Sequence, residues 1–253
     1  MTMGAPDSVA LVQGASRGVG LAFVHALLAK PNVNRVFATC RRPDEASALV
    51  ALGATDARLR ILRLDVTDEE SIAAAAAEAR DSADRIDLLI NSAGILHEGE
   101  MGPERNLAQV RPENLVKAFR VNALGPLLVA QSFEPLLQRS PEACFASLSA
   151  RVGSIGDNRL GGWYAYRSSK AALNQMTRTL AVQWRRLTRP ILCVVLHPGT
   201  VATDLSAPFT GSYDPAKLFE PDRAAGQLLD VLAGLTIADT GGFFAWDGQP
   251  IPW

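Results

Sequence analysis

Cysteine is scarce: the chain of 253 residues holds three, Cys40, Cys144 and Cys193. The number is odd, the three are far apart, and each lies in or beside an apolar run, whereas a secreted domain pairs its cysteines and a zinc site clusters them. They read as reduced core thiols. An excess of basic charge is missing too. With 25 Lys+Arg against 26 Asp+Glu, the formal charge is -1, which leaves no large positive field for nucleic acid or an anionic membrane. Neither is expected as a partner. Long apolar runs are also absent. The stretch 191–196 falls far short of the roughly 20 residues that cross a bilayer, and the run 9–12 meets Gly14 too early to be a signal-peptide core. A soluble cytoplasmic protein is the expectation. No Pro/Gly/Ser-rich linker, charge block or internal repeat divides the chain, so residues 1–253 are expected to form one domain.

What is present points to a packed α/β fold. Apolar residues make up 48% of the chain and charged residues 20%, which is ordinary for a protein that buries a substantial core. Short β-type runs recur at 9–12, 35–39, 59–64, 86–90, 144–148, 191–196 and 242–246. Segments with helical spacing or helix formers alternate with them at 19–29, 71–80, 113–138, 164–186 and 223–233. Near-continuous apolar strands joined by helices imply a parallel sheet covered on both faces. A Rossmann-type, doubly wound sheet of seven strands follows. Thr67 to Glu70 has the spacing of a capping box at the start of the helix at 71–80. The less regular stretches 94–112, 149–162 and 197–221 each follow a strand, and so should open on the carboxyl edge, where such sheets bind ligands.

After the first strand comes Gln13-Gly14-Ala15-Ser16-Arg17-Gly18-Val19-Gly20, which runs into an apolar helix. Its glycines permit tight turning and close approach, and the helix N-terminus offers free N–H groups and a positive dipole end to a pyrophosphate. In a dinucleotide site an acid about 20 residues further on holds the ribose 2′-hydroxyl. Here that region reads Ala38-Thr39-Cys40-Arg41-Arg42. Arg17 with Arg41 or Arg42 could instead surround a 2′-phosphate, since guanidinium forks match phosphate oxygens. NADP(H) is therefore expected over NAD(H), although Arg42 also reads as a solvated loop charge.

Tyr166 and Lys170 lie four residues apart in a helical segment, so their side chains share a face. An ammonium about 4 Å from a phenol, at an effective dielectric near 20, contributes on the order of 4 kcal/mol. That is enough to lower the phenol pKa by up to about 3. A second pair with this spacing, Tyr213 and Lys217, is broken by Pro215, which disfavours helix at Asp214 and removes a donor.

The ordered set resembles the short-chain dehydrogenase/reductase family over essentially the whole chain. It comprises Gly14, Gly18 and Gly20, then Asp65-Val66, Asn91-Ser92-Ala93-Gly94, Asn122, Tyr166 with Lys170, and Pro198-Gly199. Gly153-Ser154-Ile155-Gly156-Asp157-Asn158 and the tail from Trp246 to Trp253 are similar to the C-factor and sniffer-type carbonyl reductases. The resemblance implies a hydride transfer between nicotinamide and a small carbonyl/alcohol substrate, with Tyr166 as general acid/base assisted by Lys170. It implies cofactor contacts from Gly14, Ser16, Arg17, Gly18, Val19, Gly20, Arg41, Arg42, Asp65, Val66, Asn91, Ala93, Gly94, Pro198, Gly199, Val201 and Thr203, with Thr200 beside them. Lys170 would also bind the nicotinamide ribose, and Asn122 would hold a water in a proton relay to Lys170. A homodimer or homotetramer is implied, with 113–138 and 164–186 as contacts.

Two positions depart from the family pattern. Gln13 stands where Thr is usual. At the end of the fifth strand, Ala150 occupies the register of the substrate-polarising Ser. Ser149 or Ser154 could supply the missing hydroxyl, Ser149 being the choice here. Ser154 reads rather as a turn residue, and Ser149 also reads as a hydroxyl satisfying its own loop. A cofactor-binding regulatory or signalling protein with little turnover is the alternative. Trp163, Phe209 and Tyr213 suggest an apolar pocket wall.

Overall fold

The computed structural model describes residues 7–211, 214 and 217–253. Seven strands form one parallel sheet: β1 (Ser8–Gln13), β2 (Val33–Cys40), β3 (Leu59–Arg63), β4 (Leu88–Asn91), β5 (Cys144–Leu148), β6 (Leu192–His197) and β9 (Phe243–Ala245). Their order is β3-β2-β1-β4-β5-β6-β9, parallel throughout. Strand order reverses at β1, which has β2 on one side and β4 on the other. That reversal opens a crevice at the carboxyl edge.

Alternate residues of the strands feed two cores. On one face Ala10, Val12, Val36, Ile90 and Val194 pack with Phe23 and Leu27 of α1 (Gly18–Leu28) and Leu228 of α7 (Pro221–Gly234). On the other, Leu11, Phe37, Leu89 and Phe145 pack with α3 (Glu69–Ser82), α5 (Gly125–Leu137) and α6 (Tyr164–Trp184), where Phe145 meets Trp184 edge-on. Cys40, Cys144 and Cys193 are free and buried. No helix among the described residues is long and apolar enough to cross a membrane.

Several expectations change. Helix α2 (Ser47–Thr55) was not anticipated, because only Leu49 of it is buried and the apolar stripe is correspondingly weak. A two-stranded sheet of β7 (Thr200–Val201) and β8 (Leu218–Phe219) was not anticipated either. The capping box at Thr67 does not form. Asp65 Oδ1 accepts both the N–H and the hydroxyl of Thr67, and Asp68 caps α3 by accepting the Ser71 N–H.

The helix expected over 113–138 is interrupted. It runs as α4 (Pro112–Phe119), a π-helical turn over Arg120–Leu124, then α5. Pro126 has no N–H to give the Asn122 carbonyl four residues back, so the α-helical ladder cannot continue through this point. At the restart Gly125 presses on Val66: a Cβ there would stand 2.7 Å from Val66 Cβ and 3.1 Å from its carbonyl oxygen. Gly125→Ala is expected to lower unfolding stability by about 1–3 kcal/mol through overpacking, read as a lower urea midpoint at unchanged slope. An unchanged midpoint would mean that this contact yields freely.

Candidate active site

The glycine turn is held by backbone bonds from both neighbouring strands. Thr39 O accepts the N–H groups of Gly14 and Ala15, and the Ser92 N–H donates to Gln13 O. Gln13 fills its unusual position usefully, since its Oε1 accepts the Ala93 N–H at 3.2 Å. Gly14 has φ +81, and a Cβ on it would stand 2.5 Å from Ala93 N; one on Gly20 would stand 2.1 Å from Gly14 O. No side chain caps α1, and its first turn has no acidic residue. The arrangement is a bare, positively polarised helix end at the base of a crevice, which suits a pyrophosphate.

The loop after β6 closes the far side of that crevice. Gly199 has φ +80, and a Cβ there would stand 2.9 Å from Phe219 Cε2, so Pro198-Gly199 turns tightly into β7. Val201 is buried against Phe219, Ala224 and the partly buried Val19. Thr203 Cγ2 lies 3.2 Å from the Cβ position of Gly18. Asn91 is buried, donates to Ser147 Oγ and keeps an unpartnered Oδ1. Asp65, Val66, Ala93 and Gly94 follow their strands on the same edge, with Ser16 in the turn. These residues fit a nicotinamide dinucleotide: a bare helix end, glycines that permit close approach, and a buried orphan amide oxygen.

Two of the three arginines expected beside a 2′-phosphate pair with a carboxylate. Arg17 pairs with Asp204 at 3.3 Å, bridging the glycine turn and the loop after β7, and Arg42 pairs with Glu45 at 2.9 Å. Arg41 lends a minor pull to Glu98, whose carboxyl is held below its usual range mainly by Lys117. Arg17 and Arg42 are well exposed, so a phosphate has only weak pairs to displace.

Tyr166 and Lys170 are buried on one face of α6. Lys170 Nζ sits 5.7 Å from the phenol ring centroid and donates to Leu148 O at 2.9 Å. Burial pushes the phenol well above its ordinary range and the ammonium down to about 8. That is opposite to the lowering of the phenol expected from the spacing: the ammonium is turned to the Leu148 carbonyl, so desolvation outweighs its pull.

Asn122, in the π-turn, is completely buried. Its Oδ1 accepts the Ile95 N–H at 2.7 Å, and its Nδ2 donates to Ile95 O and Ser169 Oγ. Both side-chain donors are spent. Its main-chain carbonyl is denied an α-helical partner by Pro126. A Cβ on Gly94 would stand 3.4 Å from both Asn122 Oδ1 and Lys170 Nζ, so Gly94 is where the two approach the cleft.

Ser149 donates its N–H to Leu196 O in the sheet, and its hydroxyl is sealed from the surface without a partner. Successive strand residues face opposite ways, and Phe145 and Ser149, four residues apart, share the face that packs on α6. Ala150 is only partly buried. Ser154 is a turn residue: buried, with its Oγ accepting the Asp157 N–H at 3.1 Å.

An aromatic wall stands over Tyr166. Trp163 meets Tyr166 at 6.2 Å and Phe209 at 5.3 Å, and Phe209 meets His97 at 5.8 Å between ring centroids. Tyr213, the third aromatic expected there and half of the discounted Tyr–Lys pair, lies outside the described residues, as does Pro215. Trp163 is left-handed, with φ 52 and ψ 43, a conformation that costs an L residue roughly 1–2 kcal/mol.

Three residues here carry no sequence signal strong enough to single them out. His97, which lies two residues past the Ile95 that Asn122 holds, bonds Asp204 O through Nε2 at 3.0 Å. His197 ends β6 with an unpartnered Nδ1, and burial, aided by Arg151, pushes its imidazole down to about 4. Glu104 is a buried acid in the loop before α4.

Known proteins match this arrangement. A family model described as short chain dehydrogenase matches residues 8–213. The C-signal protein of Myxococcus xanthus is 37% identical over 66% of this chain and 93% of its own. The NADPH-bound carbonyl reductase from chicken fatty liver superposes with a TM-score of 0.88 at 36% identity, covering 98% of this chain and 100% of that one. The carbonyl reductase Sniffer of Drosophila melanogaster gives 0.86 at 30% identity, again over 98% and 100%. With the family match covering most of the chain and the fold shared nearly end to end with these structures, this protein belongs to the short-chain dehydrogenase/reductase family of oxidoreductases.

Proposed function

We propose that the protein is an NADP(H)-dependent carbonyl reductase, a single domain over residues 1–253. The observation that carries this reading is the Tyr166–Lys170 pair, buried together beneath the aromatic wall with Nζ 5.7 Å from the phenol ring centroid. A nicotinamide cofactor held by the glycine turn, Asn91, Ala93, Gly94 and the loop from Pro198 to Thr203 supplies the hydride. The chain's own residues do the rest. Tyr166 donates its proton to the substrate oxygen, and Lys170 offsets the charge of the phenolate that remains. The Asn122 carbonyl anchors a water through which that proton is replaced.

Ala150 at the strand end and the sealed Ser149 hydroxyl leave Tyr166 both to polarise and to protonate the oxygen. A missing oxyanion-type donor costs about 10² to 10³ in rate. That cost supports a second reading, a cofactor-binding signalling protein with little turnover, to which the likeness to C-signal also lends weight. The NADPH of the chicken enzyme supports the cofactor preference drawn from Arg17, Arg41 and Arg42. Exposed Val116 and Phe119 on α4 and Val182 on α6 support a homodimer or homotetramer through these helices.

A panel of aldehydes, ketones and quinones with NADPH tests the reading. Turnover should fall at least about 10³-fold in Tyr166→Phe, whereas Ser149→Ala should stay within about threefold of the parent. Tight NADPH binding without turnover would favour the signalling reading. The cofactor preference has its own measurement. NADPH should show a KM at least about tenfold below that of NADH, and replacing Arg41 and Arg42 together by Ala should raise only the NADPH value. A lower KM for NADH in the parent would overturn it. The pH dependence follows from Lys170. Because kcat/KM reports the free enzyme, reduction should be level below pH 8 and decline above it, as the ammonium, held down to about 8 by burial, loses its proton. A profile level to pH 10 would contradict the role given to Lys170.

A further inference from the structure

Helix α6 begins without a cap of its own. Trp163 precedes it with no capping side chain, and its first turn holds no acidic residue. The leading N–H groups of such a helix need partners from elsewhere. One partner comes from a residue 61 positions upstream of Ala165. Glu104 is 2% exposed. Its Oε2 accepts the Ala165 N–H at 3.2 Å, and its main-chain oxygen accepts the Trp163 N–H. Oε1 is sealed and unpartnered, and no basic side chain among the described residues pairs with it.

The segment under this contact is strained and gripped from its other side. Gly161, Gly162 and Trp163 all have positive φ, at 64, 63 and 52. Such a run persists in a bulky residue only when its surroundings hold it. Arg167 Nε donates to Gly161 O and Gly162 O, and its Nη1 to Val152 O. Gly162 is pressed against Glu104, with its Cβ position 3.1 Å from the Glu104 carbonyl oxygen. Arg167 thus takes the carbonyls of this turn, and Glu104 takes the N–H groups.

A local cap would put a small polar side chain at position 163, where the indole faces Tyr166 and Phe209. A cap borrowed from a distant loop frees that position for the pocket wall. We propose that Glu104 is a positioning residue of the reaction site, fixing Trp163 and the first turn of α6 and, through them, the phenol of Tyr166. This rests on the reading of Tyr166 as proton donor.

Three variants test it. Glu104→Gln keeps an oxygen acceptor at the same reach, Glu104→Asp falls one methylene short of Ala165, and Glu104→Ala removes the acceptor. The measurements are kcat and KM with NADPH and an aldehyde, the unfolding midpoint, and the emission of Trp163, isolated by subtracting the spectrum of the same protein carrying Trp163→Phe. Glu104→Gln should keep kcat within about threefold of the parent. Asp and Ala should lose about tenfold to a hundredfold in kcat, with a shifted Trp163 emission, while still folded at the assay temperature. Should Glu104→Ala not fold, the contrast between Asp and Gln decides. Full kcat and unchanged emission in Asp and Ala would overturn the proposal. So would equal losses in all three variants that track lost stability. A parent protein that turns over no carbonyl would defeat the reductase reading, and the emission contrast would still test Glu104.

Discussion

The cleft depends on one close approach, that of the turn after β1 to the turn after β4. With a Cβ position 2.5 Å from Ala93 N, residue 14 can carry no side chain. Gln13 ties the two turns together twice, through its main-chain oxygen to Ser92 and its side-chain oxygen to Ala93. Thr39 on the other flank takes the Gly14 and Ala15 N–H groups. The turn is therefore fixed by strands on both sides of the topological switch, and the α1 N-terminus needs no capping side chain to hold its place. A helix end left uncapped in this way keeps its N–H groups and its dipole available to an anion. Glutamine at 13, the first apparent departure from the family pattern, is the residue that makes the tie.

From that seam the geometry passes along Gly94 to the reaction centre. Asn122 matches the peptide of Ile95 from both ends, accepting its N–H and donating to its carbonyl, and so locks the segment after Gly94 to the π-turn. The π-turn has a local cause in Gly125-Pro126. Proline denies the Asn122 carbonyl its ordinary partner, and glycine lets the restarted helix lie against Val66. One dipeptide thus breaks the α-helical ladder at Asn122 and seats Val66, a residue of the expected adenine site.

Regular spacing was the legible part of the chain. The seven strands and five of the helices were readable because apolar period and turn residues agree, and Tyr166 with Lys170 was readable because i and i+4 share a helical face. Helix α2 escaped because it buries little. The break at Asn122 escaped because the apolar pattern runs on through it, although Gly125-Pro126 was visible. Thr67 looked like a cap until the Asp65 carboxylate was seen to occupy it. The surroundings of Ser149 could not be judged from neighbouring residues, since its N–H is taken by Leu196 on a strand far off in sequence. Glu104 had no signal of any kind, because its partners at 163 and 165 become neighbours only in the folded chain.

Burial sets the charge balance of the Tyr–Lys pair. With the phenol protonated and the ammonium charged, the pair holds one buried cation, whose hydrogen-bond acceptor among the described residues is the Leu148 carbonyl. Low dielectric penalises that lone charge, which is why the ammonium falls to about 8. In the proposed reaction, passing the phenolic proton to a substrate oxygen would replace the lone cation with an ion pair of phenolate and ammonium. The low dielectric that would strengthen attraction within that pair also penalises a second buried charge, so the placing of the ammonium decides the balance. With Nζ turned to the Leu148 carbonyl, the phenol is held well above its ordinary range even beside the ammonium.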